Sequence, residues 1–264
     1  MSMRNKIHKV FSNNQEATSI NTISYVIKNF DNFDGEKGSR NTIKKISIEN
    51  YSFNVKSFKV PHLINRVAYS FFRKSKANRS FEYATILLNN GINTPKPLAY
   101  FEYSNFYLLN KSFYVSNQLD YDFTYRELVN NKNYPNFDTI LREFTRFTFD
   151  LHEKGINFLD HSPGNTLIKK NESTNKYDFY LVDLNRMKFH QMSFEDRMKN
   201  FSKLTPRKDM VEVMANEYAK LFGGSEKNIF NQMWLFTEEF QKKFHNKIAI
   251  KKKIFFWKKK YRDN

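Results

Sequence analysis

Residues 156–187 read INFLDHSPGNTLIKKNESTNKYDFYLVDLNRM, and no other stretch of the chain restricts its fold as much. Ser162-Pro163-Gly164 is a tight turn, residues 166–169 and 177–182 favour strands, and the polar NESTN between them is a hairpin connection. If the strands pair antiparallel, Asn165 at the start of the first and Asp183 at the end of the second share one open end. Cross-strand spacing would set them about 5 Å apart, with Asp160 across the turn. Two carboxylates and an amide, with no His or Cys ligand, suit a hard cation such as Mg²⁺ beside phosphates rather than zinc. Each residue alone is better read as a turn cap. Three together favour a site, and they follow a long amphipathic segment with Phe137, Ile140, Leu141, Phe144, Phe147 and Leu151 at helical spacing.

The N-terminal half reads mainly as sheet. Tyr25-Val26-Ile27, residues 42–48 and residues 51–58 are strand-like and predict a three-stranded meander. The polar loop 31–41 carries Gly35 and Gly38 in GEKGSRN, which would let backbone amides approach a phosphate but equally makes an ordinary turn. Side chains alternate along a strand, so Tyr51, Phe53 and Val55 share one face of 51–58, and Ser52, Asn54 and Lys56 share the other. Lys56 therefore points away from the apolar layer. Residues 76–90, KANRSFEYATILLNN, predict a helix with Phe81, Ala84 and Leu88 on one stripe, Glu82 within it and Asn90-Gly91 as its stop. Pro95 and Pro97 end that tendency, and 98–102, 106–109 and 112–115 read as short strands. Beyond a polar segment at 116–120 the pattern turns helical, at 137–151, 211–222 and 230–244. The class is α+β.

Aromatics make up 17% of the 264 residues and hydrophobic residues 40%, enough for a folded core despite the charge. The absence of cysteine excludes disulfide frameworks, zinc ribbons and thiol catalysis and fits a reducing compartment. No apolar run has signal-peptide character or approaches the ~20 residues of a membrane span. Residues 241–262 hold ten of the 44 basic residues and none of the 27 acidic ones, so without them the net charge would fall from +17 to +7. There Ile248, Ile250, Ile254, Phe255, Phe256 and Trp257 are interleaved with lysines. That mixture suits an anionic membrane surface, nucleic-acid phosphates or a solvated helix with a lysine fringe. No zinc finger, helix-turn-helix or RNP-like signature accompanies it, so no nucleic-acid partner is expected.

Asp160 and Asn165 at this separation, followed by Asp183-Leu184-Asn185, resemble the HxDxxxxN loop and DFG triplet of the protein-kinase-like superfamily. SPGN with LVDLNRM, together with RKSKANRSFEYATILLNNGINTPKPLAY, is more specifically similar to the bacterial lipopolysaccharide kinase family, over roughly residues 41–222. That resemblance implies a bilobal protein-kinase-like fold: a sheet-plus-helix lobe over 1–115, a mainly helical lobe over 116–240 with the catalytic hairpin 160–183, and a basic aromatic tail over 241–264. It implies an ATP- and Mg²⁺-dependent kinase that phosphorylates a Kdo or heptose hydroxyl on a lipid-linked core sugar, cytoplasmic and peripheral to the inner membrane, with the tail on the anionic surface. Asp160 would be the catalytic base, and Asn165 and Asp183 the metal ligands. Lys56 would neutralise the α- and β-phosphates with Glu82 as its helix partner. Gly35, Gly38 and Ser39 would sit in the phosphate-covering loop, and Ser116 to Leu119, with Asn117 and Leu119, would form the adenine-reading hinge.

Phe158 stands where HxD has histidine, Leu184-Asn185 replaces Phe-Gly, and no APE-like segment follows. These departures leave every metal ligand in place and disfavour a peptide acceptor. His161 reads as structural support for Asp160, and Arg186 as a phosphate-neutralising or local ion-pair residue. Two other functions fit the same residues: a kinase of a soluble small acceptor, and a non-catalytic kinase-like or basic binding protein.

Overall fold

A computed structural model describes residues 5–13, 17–37, 41–58, 74–105 and 108–260. The chain forms two compact units, Met1–Asp122 with Tyr180–Met187, and Phe123–Phe179 with Lys188–Asn264. Tyr180–Met187 goes to the first unit. The reason is backbone pairing: Leu181 donates its N–H to the Asn93 carbonyl (3.0 Å) and accepts the Thr94 hydroxyl (2.8 Å).

The first unit is built on a six-stranded sheet ordered β1-β5-β6-β4-β3-β2. Its strands are β1 (Asn5–Phe11), β2 (Glu36–Lys37), β3 (Asn41–Ile48), β4 (Tyr51–Phe58), β5 (Pro97–Asn105) and β6 (Leu108–Asn117). Period-2 alternation sorts its side chains. Phe53, Val55, Ala99, Phe101, Phe113 and Val115 enter one core with Ile23, Val26, Ile27 and Phe30. Phe58 and Tyr100 pack on the opposite face against Ala77 of α2 (Lys76–Asn89). Ser75 caps α2 by accepting the Asn78 N–H at 3.1 Å.

Three expectations change. Tyr25-Val26-Ile27 is not the first strand of a meander but part of α1 (Ala17–Lys28), because the buried positions Ser19, Ile23, Val26 and Ile27 recur at helical spacing while Tyr25 is 58% exposed. The buried stripe of α2 is Ala77, Ser80, Ala84 and Leu87, with Leu88 exposed. Of the short strands expected at 106–109 and 112–115, residues 106 and 107 lie outside the described residues, and Leu108–Asn117 is one strand, β6, that pairs with both β4 and β5.

The second unit has one large core. Around it lie β7 (Phe123–Thr124), α3 (Tyr125–Asn130), α4 (Phe137–Glu153), β8 (Ile156–Phe158), β9 (Thr166–Asn171), β10 (Lys176–Leu181), β11 (Met187–Phe189), α5 (Phe194–Asn200), α6 (Lys208–Phe222) and α7 (Glu226–Lys260). Strands β7, β9 and β10 form a small sheet, and β8 pairs with β11. Helix α4 turns Ile140, Leu141, Phe144 and Leu151 into the core. Glu217 on α6 joins the two helices, accepting from Arg146 at 2.6 Å and Arg142 at 3.3 Å with its own side chain 5% exposed. Burial alone would raise its pKa, but the two guanidiniums hold it below the usual carboxylate range. Gly223 closes α6 in the left-handed region (φ 78°), where a Cβ would be strained. Residues 241–260 of the basic tail continue α7, and no helix among the described residues is long and apolar enough to cross a membrane.

Candidate active site

Lys56 sits on β4 opposite Tyr114 of β6, on the sheet face away from the α1 core, and is buried. Its ammonium meets Asp183 Oδ1 at 2.5 Å, joining residues 127 apart in sequence. Asp183 adopts φ 58°, a left-handed conformation that aspartate tolerates better than bulkier residues. Asn185 donates to the same Oδ1 at 2.6 Å. Both donors converge on one oxygen, and among the described residues Oδ2 has no donor.

Glu82 lies on α2 but does not pair with Lys56. Both of its oxygens take Lys74, at 2.7 and 2.8 Å, because this exposed lysine just ahead of α2 reaches back along the helix. Gly35 precedes β2, and its close approach serves the sheet: a Cβ there would lie 2.7 Å from the Ile43 carbonyl and 2.3 Å from Lys44 Cγ. Gly38 and Ser39 lie outside the described residues. In the expected hinge, the Asn117 N–H bonds the Lys96 carbonyl and the Gln118 N–H bonds the Ser52 carbonyl, each at 2.9 Å. The Leu119 carbonyl takes the Gln118 side chain at 2.8 Å. Sheet extension thus occupies the amides of 117 and 118.

In the second unit Asp160 follows β8 and Asn165 ends a 3₁₀ turn begun by Pro163. Asn165 Nδ2 donates to the Asp160 carbonyl at 2.8 Å, which leaves Oδ1 without a donor among the described residues. Lys203, from the 3₁₀ turn after α5, bonds the Leu159 carbonyl and stands 3.5 Å from Asp160 Oδ1. His161 is fully buried, with Nδ1 2.9 Å from Asn200 Oδ1. Asn200 also faces His152 Nε2 at 3.2 Å and donates to Asn157 Oδ1 and the Phe158 carbonyl, at 3.0 and 2.9 Å. One asparagine therefore ties the segment before Asp160 to α5. Desolvation pushes the pKa of His161 down to about 4 and of His152 to about 3, so both rings are neutral at neutral pH. The His161 ring is buried and bonded to Asn200. Asn200 and Lys203 escape a sequence reading, since nothing in MKNFSKL marks either residue.

The uncommitted oxygen of Asp183 in the first unit and that of Asn165 in the second are each hard donors of the kind Mg²⁺ takes. No group of three or more His, Cys, Asp or Glu gathers to hold a metal among the described residues, so such an ion would take its other ligands from phosphate and water.

No family model matches the sequence, and no curated protein matches it. Among solved structures, WaaP in complex with acyl carrier protein superposes with a TM-score of 0.60 at 13% identity, covering 90% of this chain and 98% of that one. The chain has a protein-kinase-like fold. A co-crystal structure of WbdD with the kinase inhibitor LY294002 aligns more loosely, at a TM-score of 0.45 and 14% identity over 80% of this chain and 45% of that one. Within the protein-kinase-like fold, β4 carries Lys56, α2 carries Glu82 and the turn after β8 carries Asp160.

Proposed function

We propose that this chain is an ATP- and Mg²⁺-dependent kinase of the lipopolysaccharide kinase type, transferring the γ-phosphoryl group to a Kdo or heptose hydroxyl of a lipid-linked core sugar. The observation that carries the reading is the ion pair of buried Lys56 with the partly exposed Asp183 at 2.5 Å, with Asn185 on the same carboxylate oxygen. A buried lysine whose sole anionic partner among the described residues is one carboxylate oxygen is equipped to exchange that partner for a phosphate. Bound Mg²⁺ would supply neutralisation of the ATP phosphates, with Asp183 and Asn165 as its protein ligands.

The remaining work belongs to the chain itself. Asp160 orients the sugar hydroxyl and accepts its proton as the oxygen bonds to the γ-phosphorus and the bond to the β-phosphate oxygen breaks, releasing ADP. Lys203 and Asn165 hold the loop that presents it. Helix α7 supports a peripheral membrane location: Phe244 and Ile250 are 48% and 57% exposed, amid the exposed Lys242, Lys243, Lys247, Lys251 and Lys252. The test is ³²P transfer from ATP to a panel of lipid A precursors and core sugars, with the product mass determined. Asp183→Ala and Lys56→Met should each lower turnover by at least ~10²-fold. Full turnover in either folded variant would overturn the assignment.

A further inference from the structure

A cavity of about 370 Å³ lies wholly within the second unit, walled by the Asn157–Leu159 backbone, α5 and the middle of α7. Four lysines line it against two carboxylates. Each carboxylate is already engaged: Asp196 accepts the Ser193 hydroxyl at 3.0 Å and faces His190 at 3.6 Å, while Glu239 pairs with Lys243 at 3.4 Å. That leaves three ammonium groups. Lys188 and Lys199 have no carboxylate partner among the described residues, and Lys199 stands 5.8 Å over the Phe236 ring. Lys203 reaches from the cavity wall to Asp160, 3.5 Å away. Phe236 and Phe240 are half-buried and give the cavity an apolar side.

Positive charge beside aromatic faces, with Lys203 of the cavity wall 3.5 Å from Asp160, defines a class of ligand. We infer that this cavity binds the phosphate group of a phosphorylated sugar, Lys188 and Lys199 contacting the phosphate while Phe236 and Phe240 pack against the ring. The inference deepens the kinase reading and rests on it for the identity of the bound sugar as acceptor. Binding at the cavity itself can be measured without turnover. Lys203 belongs to the support of Asp160, so the informative variant is Lys188→Gln/Lys199→Gln.

Titration calorimetry on the full chain at low salt would compare glucose 6-phosphate with glucose, and each with a non-hydrolysable ATP analogue present to occupy any nucleotide site. Glucose 6-phosphate should bind at least about tenfold more tightly than glucose, since each charge-assisted hydrogen bond to phosphate adds roughly that factor. The double variant should lose the preference while binding the ATP analogue as the wild type does. Equal binding of the two sugars, or a preference that survives in the double variant, would overturn the inference. Failure of the wild type to bind the ATP analogue would count against the kinase reading alone, because glucose 6-phosphate and glucose are also compared in its absence. A phosphate carried on lipid is separated from the soluble form by vesicles containing phosphatidic acid: binding that glucose 6-phosphate competes away places both in this cavity, and vesicle binding lost by truncating α7 after residue 240 but untouched by the sugar phosphate places the lipid elsewhere.

Discussion

Acid should destabilise the second unit between pH 8 and pH 5 through His161 and His152. Both are buried and neutral, with pKa values of about 4 and about 3 against 6.5 in an unfolded chain. A histidine whose folded pKa is depressed contributes stability that is fully present above its unfolded pKa and is lost as pH falls below it. Between pH 8 and pH 5 the unfolded chain takes up nearly one proton per ring and the folded chain almost none, which costs about 2 kcal/mol for each histidine, or about 4 kcal/mol together. That is a large share of a typical folding free energy. Both tryptophans, Trp234 and Trp257, belong to the second unit, so urea melts followed by tryptophan fluorescence report its stability. His161→Asn keeps an N–H near the position of Nδ1, facing Asn200, and removes the titrating ring. The loss of packing against Phe144 and Phe158, whose ring centroids lie 5.4 and 5.9 Å away, lowers stability at every pH. The diagnostic is the slope: about 2 kcal/mol of the drop between pH 8 and pH 5 should vanish. An unchanged drop in the variant, or none in the wild type, would refute the reasoning.

Asn185→Ala should weaken Mg²⁺-ATP binding by about tenfold or more with the fold intact, because Asp183 loses one of the two donors that orient it; a Mg²⁺ titration at fixed ATP checks this, and an unchanged midpoint counts against the orienting role. Glu217→Gln should destabilise the second unit by about 2 to 3 kcal/mol at pH 7, since Arg142 and Arg146 lose their charge partner, and the gap from the wild type should close as pH falls below about 4.5 and through the depressed folded value. Urea melts at pH 7 and pH 3.5 measure both limits. Gly155→Ala should cost at least about 1 to 2 kcal/mol in the same assay, because Gly155 has φ 66° and a new Cβ would stand 2.8 Å from the His190 carbonyl oxygen.

Local patterns in the sequence predicted the elements that position the site, and what they missed is set by contacts remote in sequence. Alternation alone placed Lys56 on the sheet face opposite Phe53 and Val55, and a capped, Gly-terminated stretch located α2. Strand β1 could not be recognised in the same way. Its Ile7 is 56% exposed, so it offers no clean alternation, and its conformation comes from pairing with β5. The run Tyr25-Val26-Ile27 satisfies a strand as well as a helix, and only the burial of Ile23 four residues before Ile27 decides between them. Glu82 was legible as a helix residue, but its partner was not: Lys74 competes for the carboxylate from eight residues away, with no rearrangement of the fold needed.

The loop that carries Asp160 is held by polar contacts from outside it. Where HxD carries a histidine, this chain buries a phenylalanine, which can pack but cannot hydrogen-bond the loop. Three residues on, the buried His161 makes a polar contact, its ring sharing the Asn200 carbonyl oxygen with His152. Asn200 then uses its amide on Asn157 and on the carbonyl of Phe158 itself. The backbone on both sides of Asp160 is thereby fixed from α5 instead of from within the loop, and a buried asparagine with every donor and acceptor engaged is costly to replace. If this exchange is what keeps Asp160 in place, Asn200→Leu should depress turnover through kcat, leave the KM for ATP near the wild-type value, and do so even under stabilising osmolytes that restore the fold. A loss recovered fully by osmolyte would show that Asn200 supports stability alone.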